Sequence, residues 1–286
     1  MSLVTNHSTS LCGVGIGLRS VHYQTILETL PDTPWFEALT DNYMGNGGLP
    51  LQYLEQIREH YPITLHGVGL SLGSLDPLDK KYLMQLKQLI HRFQPTLVSD
   101  HLCWSSFDGI HGNDLFPMPY SKEALTHIVD RIQQVQDTLG QRIVVENVSS
   151  YVTYHSDEMT EWEFLAEVVK QADCDLLCDV NNIYVSAQNH QFDPLVYLRA
   201  LPHDRIKEIH LAGYDNVGTH LLDTHGDVVQ PEVWKLYEQA IELIGPVATL
   251  IEWDTDIPDF EVLQKEAKKA ALILEQYDIE KYNETA

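Results

Sequence analysis

The residues of this chain best suited to chemistry are spread along its length. They are His66, Asp100 with His101, Glu146 with Asn147, Asp179 with Asn181 and Asn182, His210, Asp223 with His225, and Glu252 with Asp254. Nearly all follow directly on a short apolar run, so they recur wherever a buried segment comes to an end. Imidazole nitrogen and carboxylate oxygen are the donors that divalent zinc, manganese and iron take up. Carboxylates converging on one place would repel strongly unless cations held them, so the series points to a site for more than one metal ion. Each residue alone has a plainer reading. An Asp at a strand end, or Asn181, often caps the next helix, and isolated histidines such as His7, His22 and His190 are more often surface or hydrogen-bonded residues than ligands, so no role is given to them. Independent caps would not fall at one strand end after another, and the series as a whole reverses the odds.

Those residues need a scaffold that brings strand ends together. Eight runs read as strands: those starting at Cys12 (CGVGIGLR), Trp35 (WFEALT), Ile63 (ITLHGV), Thr96 (TLVSDHL), Arg142 (RIVVENV), Asp175 (DLLCDV), Ile206 (IKEIHLAG) and Ala248 (ATLIEW). Between them lie stretches such as DKKYLMQLKQLIHRF, SKEALTHIVDRIQQVQDTL and EWEFLAEVVKQA, with apolar residues at three- and four-residue spacing, as an amphipathic helix requires. Ser121 is placed to cap one helix, and Thr160 with Glu163 forms a capping box for another. Alternating strands and helices predict an α/β fold, a single (β/α)8 TIM barrel occupying residues 1–286 as one domain. The active site is then expected at the C-terminal ends of the strands. The segments CWSSFDGIHGNDLFPMPY and SSYVTYHSDEMT read as long loops facing a substrate, and Asn42, Tyr43, Asn113 and Asp114 lie in equivalent loops, where shaping a pocket is as good a reading as chemistry.

Composition narrows the partners. The 286 residues hold 18 Lys+Arg against 42 Asp+Glu, a formal charge of -24. That balance repels phosphate backbones and argues against a nucleic-acid partner. No apolar run is long enough to cross a bilayer, and MSLVTNHSTS lacks the regions of a signal peptide, so no membrane partner and a cytoplasmic location are expected. Cys12, Cys103, Cys174 and Cys178 form no CxxC pair and read as reduced thiols.

The motifs GVGIGLR, LHGVGLSLGS, SDHL, NDLFPMPY, ENVSSY, CDVNNIYVSA, EIHLAGY, DTHG and LIEWD together resemble those of the multinuclear non-haem iron-dependent oxidative enzymes. This family, long catalogued as uncharacterised, includes the oxidase of methanobactin biosynthesis. The resemblance runs over about residues 12–275, the expected barrel core, and implies a barrel of the xylose-isomerase and endonuclease IV type. It also implies two or three iron ions as Fe2+ and Fe3+. His66, His101 and Glu146 would hold the first; Glu146 as a bridge, with Asp179, His210 and Glu252, the second; Asn182, Asp223 and His225 the third. The endonuclease branch has a histidine where this chain has Asn182, and the usual glutamate before the HL histidine is here Asp100. Asp100, Asn147 and Asp254 are the residues expected in catalysis. The resemblance further implies oxidation of cysteines in a ribosomally made precursor peptide, molecular oxygen as cosubstrate, and a small companion protein that recruits the peptide leader. The rival reading within the same barrel superfamily is a zinc- or manganese-dependent hydrolase or sugar isomerase. A metal-dependent binding module without catalysis ranks behind both.

Overall fold

All eight predicted runs form strands, and the strands close on themselves. The barrel consists of β1 (Val14–Leu18), β2 (Phe36–Leu39), β3 (Ile63–Gly67), β4 (Val98–His101), β5 (Val144–Glu146), β6 (Asp175–Asp179), β7 (Ile206–Leu211) and β8 (Ala248–Ile251). Each strand pairs in parallel with its sequence neighbours, and β1 pairs with β8 to complete the ring. Closure leaves no barrel edge unpaired. The computed structural model describes residues 11–285 except 46, so His7 and the segment MSLVTNHSTS lie outside the described residues.

The helices pack their apolar stripes onto the ring. In the helix Lys80–Phe93 the buried residues are Leu83, Leu86, Leu89 and Phe93, one face of a 3.6-residue period. Helix Lys122–Leu139 starts at Ser121, whose side chain accepts from the Ala124 N–H, and stops at Gly140, which adopts the left-handed conformation that glycine tolerates. Helix Glu161–Ala172 carries the capping box expected from Thr160 and Glu163. Near the base of the barrel, the Trp35 ring occupies the space that a Cβ on Gly15 would need, so only glycine lets that ring pack against β1.

Two features depart from the expected layout. The segment after β4 is a two-stranded antiparallel sheet, Trp104–Phe107 with Ile110–Phe116, where a loop was expected. Its Asp108 and Gly109 both take positive φ, and their N–H groups donate to the two carboxylate oxygens of Asp76. A hairpin with a tight turn is the result. After β6 there is no loop at all: helix Val180–His190 begins at once, with Asp179 as its N-cap. Asn181 and Asn182 therefore sit in the first helical turn, against the barrel mouth.

Thr160→Ala should lower the unfolding free energy by about 1 kcal/mol, the usual cost of an N-cap. A urea titration followed by circular dichroism measures it.

Candidate metal centre

Strand register decides which side chains meet. His101 stands opposite Glu146 across β4 and β5, and Asp179 opposite His210 across β6 and β7. Side chains alternate along a strand, so Leu39, His66, His101, Glu146, Asp179, His210 and Glu252 share the upper inward layer. Glu146 lies at its heart, 1% exposed. Its Oε2 is 3.3 Å from His66 Nε2 and 3.2 Å from His101 Nε2. His210 Nδ1 is 3.8 Å from Glu146 Oε1 and 3.0 Å from Glu252 Oε2.

The histidine tautomers make these contacts informative. The His101 Nδ1–H donates to the Gly67 carbonyl at 3.0 Å, and the His66 Nδ1–H to Ser99 Oγ at 2.8 Å. Both rings therefore turn a bare Nε2 lone pair toward a carboxylate oxygen. Burial holds His101 down to about 3 and lowers His66 too, so neither ring readily takes a proton of its own. Acceptor faces acceptor, and His66 Nε2 and Glu146 Oε2 have no hydrogen-bond partner. Spacings near 3 Å are what two ligands of one ion make when each bond is roughly 2.0–2.2 Å. A cation fits between them.

The second group, Glu146, Asp179, His210 and Glu252, also lies within reach of one ion. Asp179 reconciles its two readings: Oδ1 caps the helix by accepting from the Asn182 N–H at 2.6 Å, while Oδ2 is buried with no partner. Burial pushes its carboxyl up to about 7, and Glu146 is raised well above the usual range for the same first reason. Glu252 goes the other way. Burial would raise it, but the charges of His210 and His225 outweigh that and hold it well below the carboxylate range. His210 and His225 are raised in turn by Glu37 with Glu252 and by Asp223 with Glu252, against the pull of burial.

At the third expected position, the Asn182 Nδ2–H donates to the Asn147 carbonyl at 3.0 Å, which leaves Asn182 Oδ1 buried and unpartnered. His225 Nε2 lies 2.6 Å from Asp223 Oδ1. On its other side His225 Nδ1 is 3.4 Å from Glu252 and 3.2 Å from Asp254, so His225, Glu252 and Asp254 form a further ligand group at the mouth. Asn181 donates to Asp223 Oδ1 at 2.7 Å and holds that carboxylate in place.

The residues expected in catalysis separate. Asn147 spends its amide on the backbone of Asp179, accepting from its N–H at 2.9 Å and donating to its carbonyl at 3.0 Å. Asp100 accepts from the His101 N–H at 2.8 Å and the Leu70 N–H at 3.2 Å, which fixes the strand end behind His101. Only Asp254 lines the mouth, a cavity of about 340 Å3 shared with Arg19, Asn42, Asp114 and Tyr151. Tyr43 is buried elsewhere, 2.5 Å from the Tyr23 hydroxyl, and the side chain of Asn113 lies outside the described residues. His22, which is buried, bonds to the Pro258 carbonyl and His190 to Ser150, so both are hydrogen-bonded as the plain reading allows.

Several participants carried no expectation. Arg19 donates through Nε to the Trp253 carbonyl at 2.8 Å and pairs with Asp254. Glu37 and Glu208 lie beneath His210 in the barrel interior. A signal for this lower layer exists in the sequence: Thr64, Ser99 and Glu208 each stand two residues before a strand-end histidine, which puts them on the same inward face.

The fold and site together define a TIM barrel with a candidate multinuclear metal centre at the C-terminal mouth of its strands. The chain belongs to the MbnB/TglH/ChrH family of RiPP precursor modification enzymes, whose model matches residues 13–275. A UPF0276 protein of Acaryochloris marina is 60% identical over 269 residues, covering 94% of this chain and 97% of that protein. A UPF0276 protein of Vibrio parahaemolyticus is 47% identical over 267 residues, with 92% and 93% covered. Among solved structures, endonuclease IV from Thermus thermophilus superposes with a TM-score of 0.61 at 17% identity, covering 92% of this chain and 99% of its own. A D-tagatose 3-epimerase-like protein gives 0.59 at 16%, with 96% and 100% covered. These likenesses establish the fold of the xylose-isomerase and endonuclease IV type.

Two substitutions test the centre. Glu146→Gln should abolish the coupled uptake of two cations while the chain still folds, because an amide cannot bring a bridging charge; metal content by elemental analysis after loading decides it. Asn182→Ala should empty the third position alone and leave the other two filled, as anomalous scattering from crystals soaked in metal would show.

Proposed function

We propose that this chain is a multinuclear iron enzyme that oxidises cysteine residues of a ribosomally made precursor peptide, with molecular oxygen as cosubstrate. Its membership of a family of RiPP precursor modification enzymes supports a peptide substrate. The observation that carries the metal half of the reading is the cluster of buried, unpartnered donors around Glu146, with two bare imidazole nitrogens aimed at one carboxylate oxygen. His66, His101 and Glu146 would hold one ion, Glu146, Asp179, His210 and Glu252 a second, and Asn182, Asp223 and His225 a third. Bound iron would supply one-electron chemistry with dioxygen, which the side chains at the mouth do not offer.

The chain's own groups do the positioning. A mouth of about 340 Å3 suits one side chain with its adjoining backbone, so an extended segment of a peptide enters while a folded protein does not. Arg19 fixes Asp254, and Asp254 Oδ2 meets His225 Nδ1, so these three residues form a braced wall where a substrate thiol would arrive. Of the residues expected in catalysis, we assign Asp254 to this wall, and Asp100 and Asn147 to positioning the backbone behind His101 and Asp179. A small companion protein recruiting the peptide leader completes the proposal. We place the reaction in the cytoplasm, where Cys12, Cys103, Cys174 and Cys178, all free thiols, stay reduced. Among the described residues no helix is long and apolar enough to cross a membrane.

Protein loaded anaerobically with Fe2+ should retain more than one iron per chain and consume oxygen when given a Cys-containing precursor peptide. Elemental analysis and an oxygen electrode read both. A single tightly held zinc with no iron uptake, or iron uptake without peptide-dependent oxygen consumption, overturns the reading.

A further inference from the structure

His210 faces two ways, and its nitrogens meet different carboxylates. Nδ1 points to the metal centre, 3.0 Å from Glu252 Oε2. Nε2 points down the barrel, 3.2 Å from Glu37 Oε1 and 3.7 Å from Glu208 Oε1. His66 and His101 are built the other way round, with Nδ1 tied to Ser99 and Gly67 and Nε2 turned to the centre. A neutral imidazole carries its proton on one nitrogen and its metal-binding lone pair on the other, so the bond made on the far side selects the ligating atom. For His210 to ligate through Nδ1, an acceptor must hold a proton on Nε2.

We infer that Glu37, braced by Thr64 and flanked by Glu208, is the positioning residue that keeps the His210 proton on Nε2 and so commits Nδ1 to the metal centre. The inference rests on the metal reading under Proposed function and deepens it. Glu37 stands opposite Thr64 in the register of β2 and β3, and Thr64 Oγ1 donates to Glu37 Oε2 at 2.8 Å. That bond fixes one carboxylate oxygen and leaves the other for the imidazole. Glu208 and His210 sit two residues apart on β7 and therefore share the inward face. All four residues are 2% exposed or less. TIM-barrel interiors are ordinarily filled by Val, Ile and Leu, and a buried carboxylate without a partner is costly. His210 Nε2 has no hydrogen-bond partner in the structure, the bonded nitrogen being Nδ1 at 3.0 Å from Glu252 Oε2, and Glu37 Oε1 is the nearer of the two carboxylate oxygens beneath Nε2. Glu37, Glu208 and His210 also stand close enough together to chelate a cation. That occupant would strip His210 of both ring protons if Nδ1 were also bound, which is why the proton is the better match.

The test uses the full chain with 15N-labelled histidine and Zn2+ as the probe, which is diamagnetic. In zinc-loaded wild-type protein, NMR should show His210 protonated on Nε2 and bound through Nδ1. Glu37→Gln should weaken Zn2+ at the His210 position by about 10- to 100-fold and shift the His210 nitrogen signals while those of His66 and His101 hold. Thr64→Val, a milder change, should act in the same direction with a smaller loss, and it serves if Glu37→Gln does not fold. Unchanged His210 signals and Zn2+ affinity in the folded variants would overturn the inference alone, with the metal centre intact. So would anomalous zinc density between Glu37 and Glu208. Wild-type protein that takes up no Zn2+ would overturn the centre and the inference with it.

Discussion

The structure is organised around one buried carboxylate. Glu146 ends a three-residue strand, is closed off from water, and has two imidazole nitrogens within 3.3 Å of one oxygen and a third imidazole facing the other. The contacts of His66 and His101 do not favour folding by themselves, because their lone pairs point at a carboxylate oxygen in a medium that screens them poorly. The arrangement persists because the surrounding barrel determines each position several times over. The Nδ1 anchors of His66 and His101, the Asn147 clamp on the backbone of Asp179, and the Asp100 bonds behind His101 all belong to this frame. The stability sacrificed at the mouth is the attraction left over for cations.

The frame also explains how one fold holds two opposite kinds of histidine. His66 and His101 are anchored by neutral acceptors, a hydroxyl and a carbonyl, and burial disfavours their charged forms. His210 faces the carboxylates of Glu37 and Glu208 below and, against the pull of burial, is drawn toward the charged form by Glu37 and Glu252. The two sides of Glu146 therefore differ in their pull on a proton. Such a difference would give two metal positions on either side of Glu146 unequal properties.

Much of this was legible in the sequence. The eight strands are short apolar runs, the helices have clear stripes, and the caps at Ser121 and Thr160 follow from residue chemistry. The polar residues at the strand ends stood out because apolar runs seldom finish in His, Asp or Glu so regularly. What escaped was the layer beneath. Glu37 and Glu208 lie inside their strands, where a carboxylate reads as an outward-facing polar residue unless the inward parity of that strand is already known. Arg19 ends the GVGIGLR motif and reads as an ordinary surface cation. The hairpin after β4 was hidden by a segment whose Gly, Asp and Pro content resembles a loop.

The sequence by itself determined the class of fold and the donor types, because periodicity and residue chemistry are local and survive without neighbours. Only the tertiary structure decided which donors meet and through which atom. Asp179 caps a helix with one oxygen and offers the other to the centre, and His210 turns Nδ1 upward while His66 and His101 turn Nε2 inward. Those choices depend on strand register and on hydrogen bonds between residues far apart in the chain, such as Glu37 with Thr64 or Asn147 with Asp179. No local pattern encodes them, since each exists only once the barrel has closed.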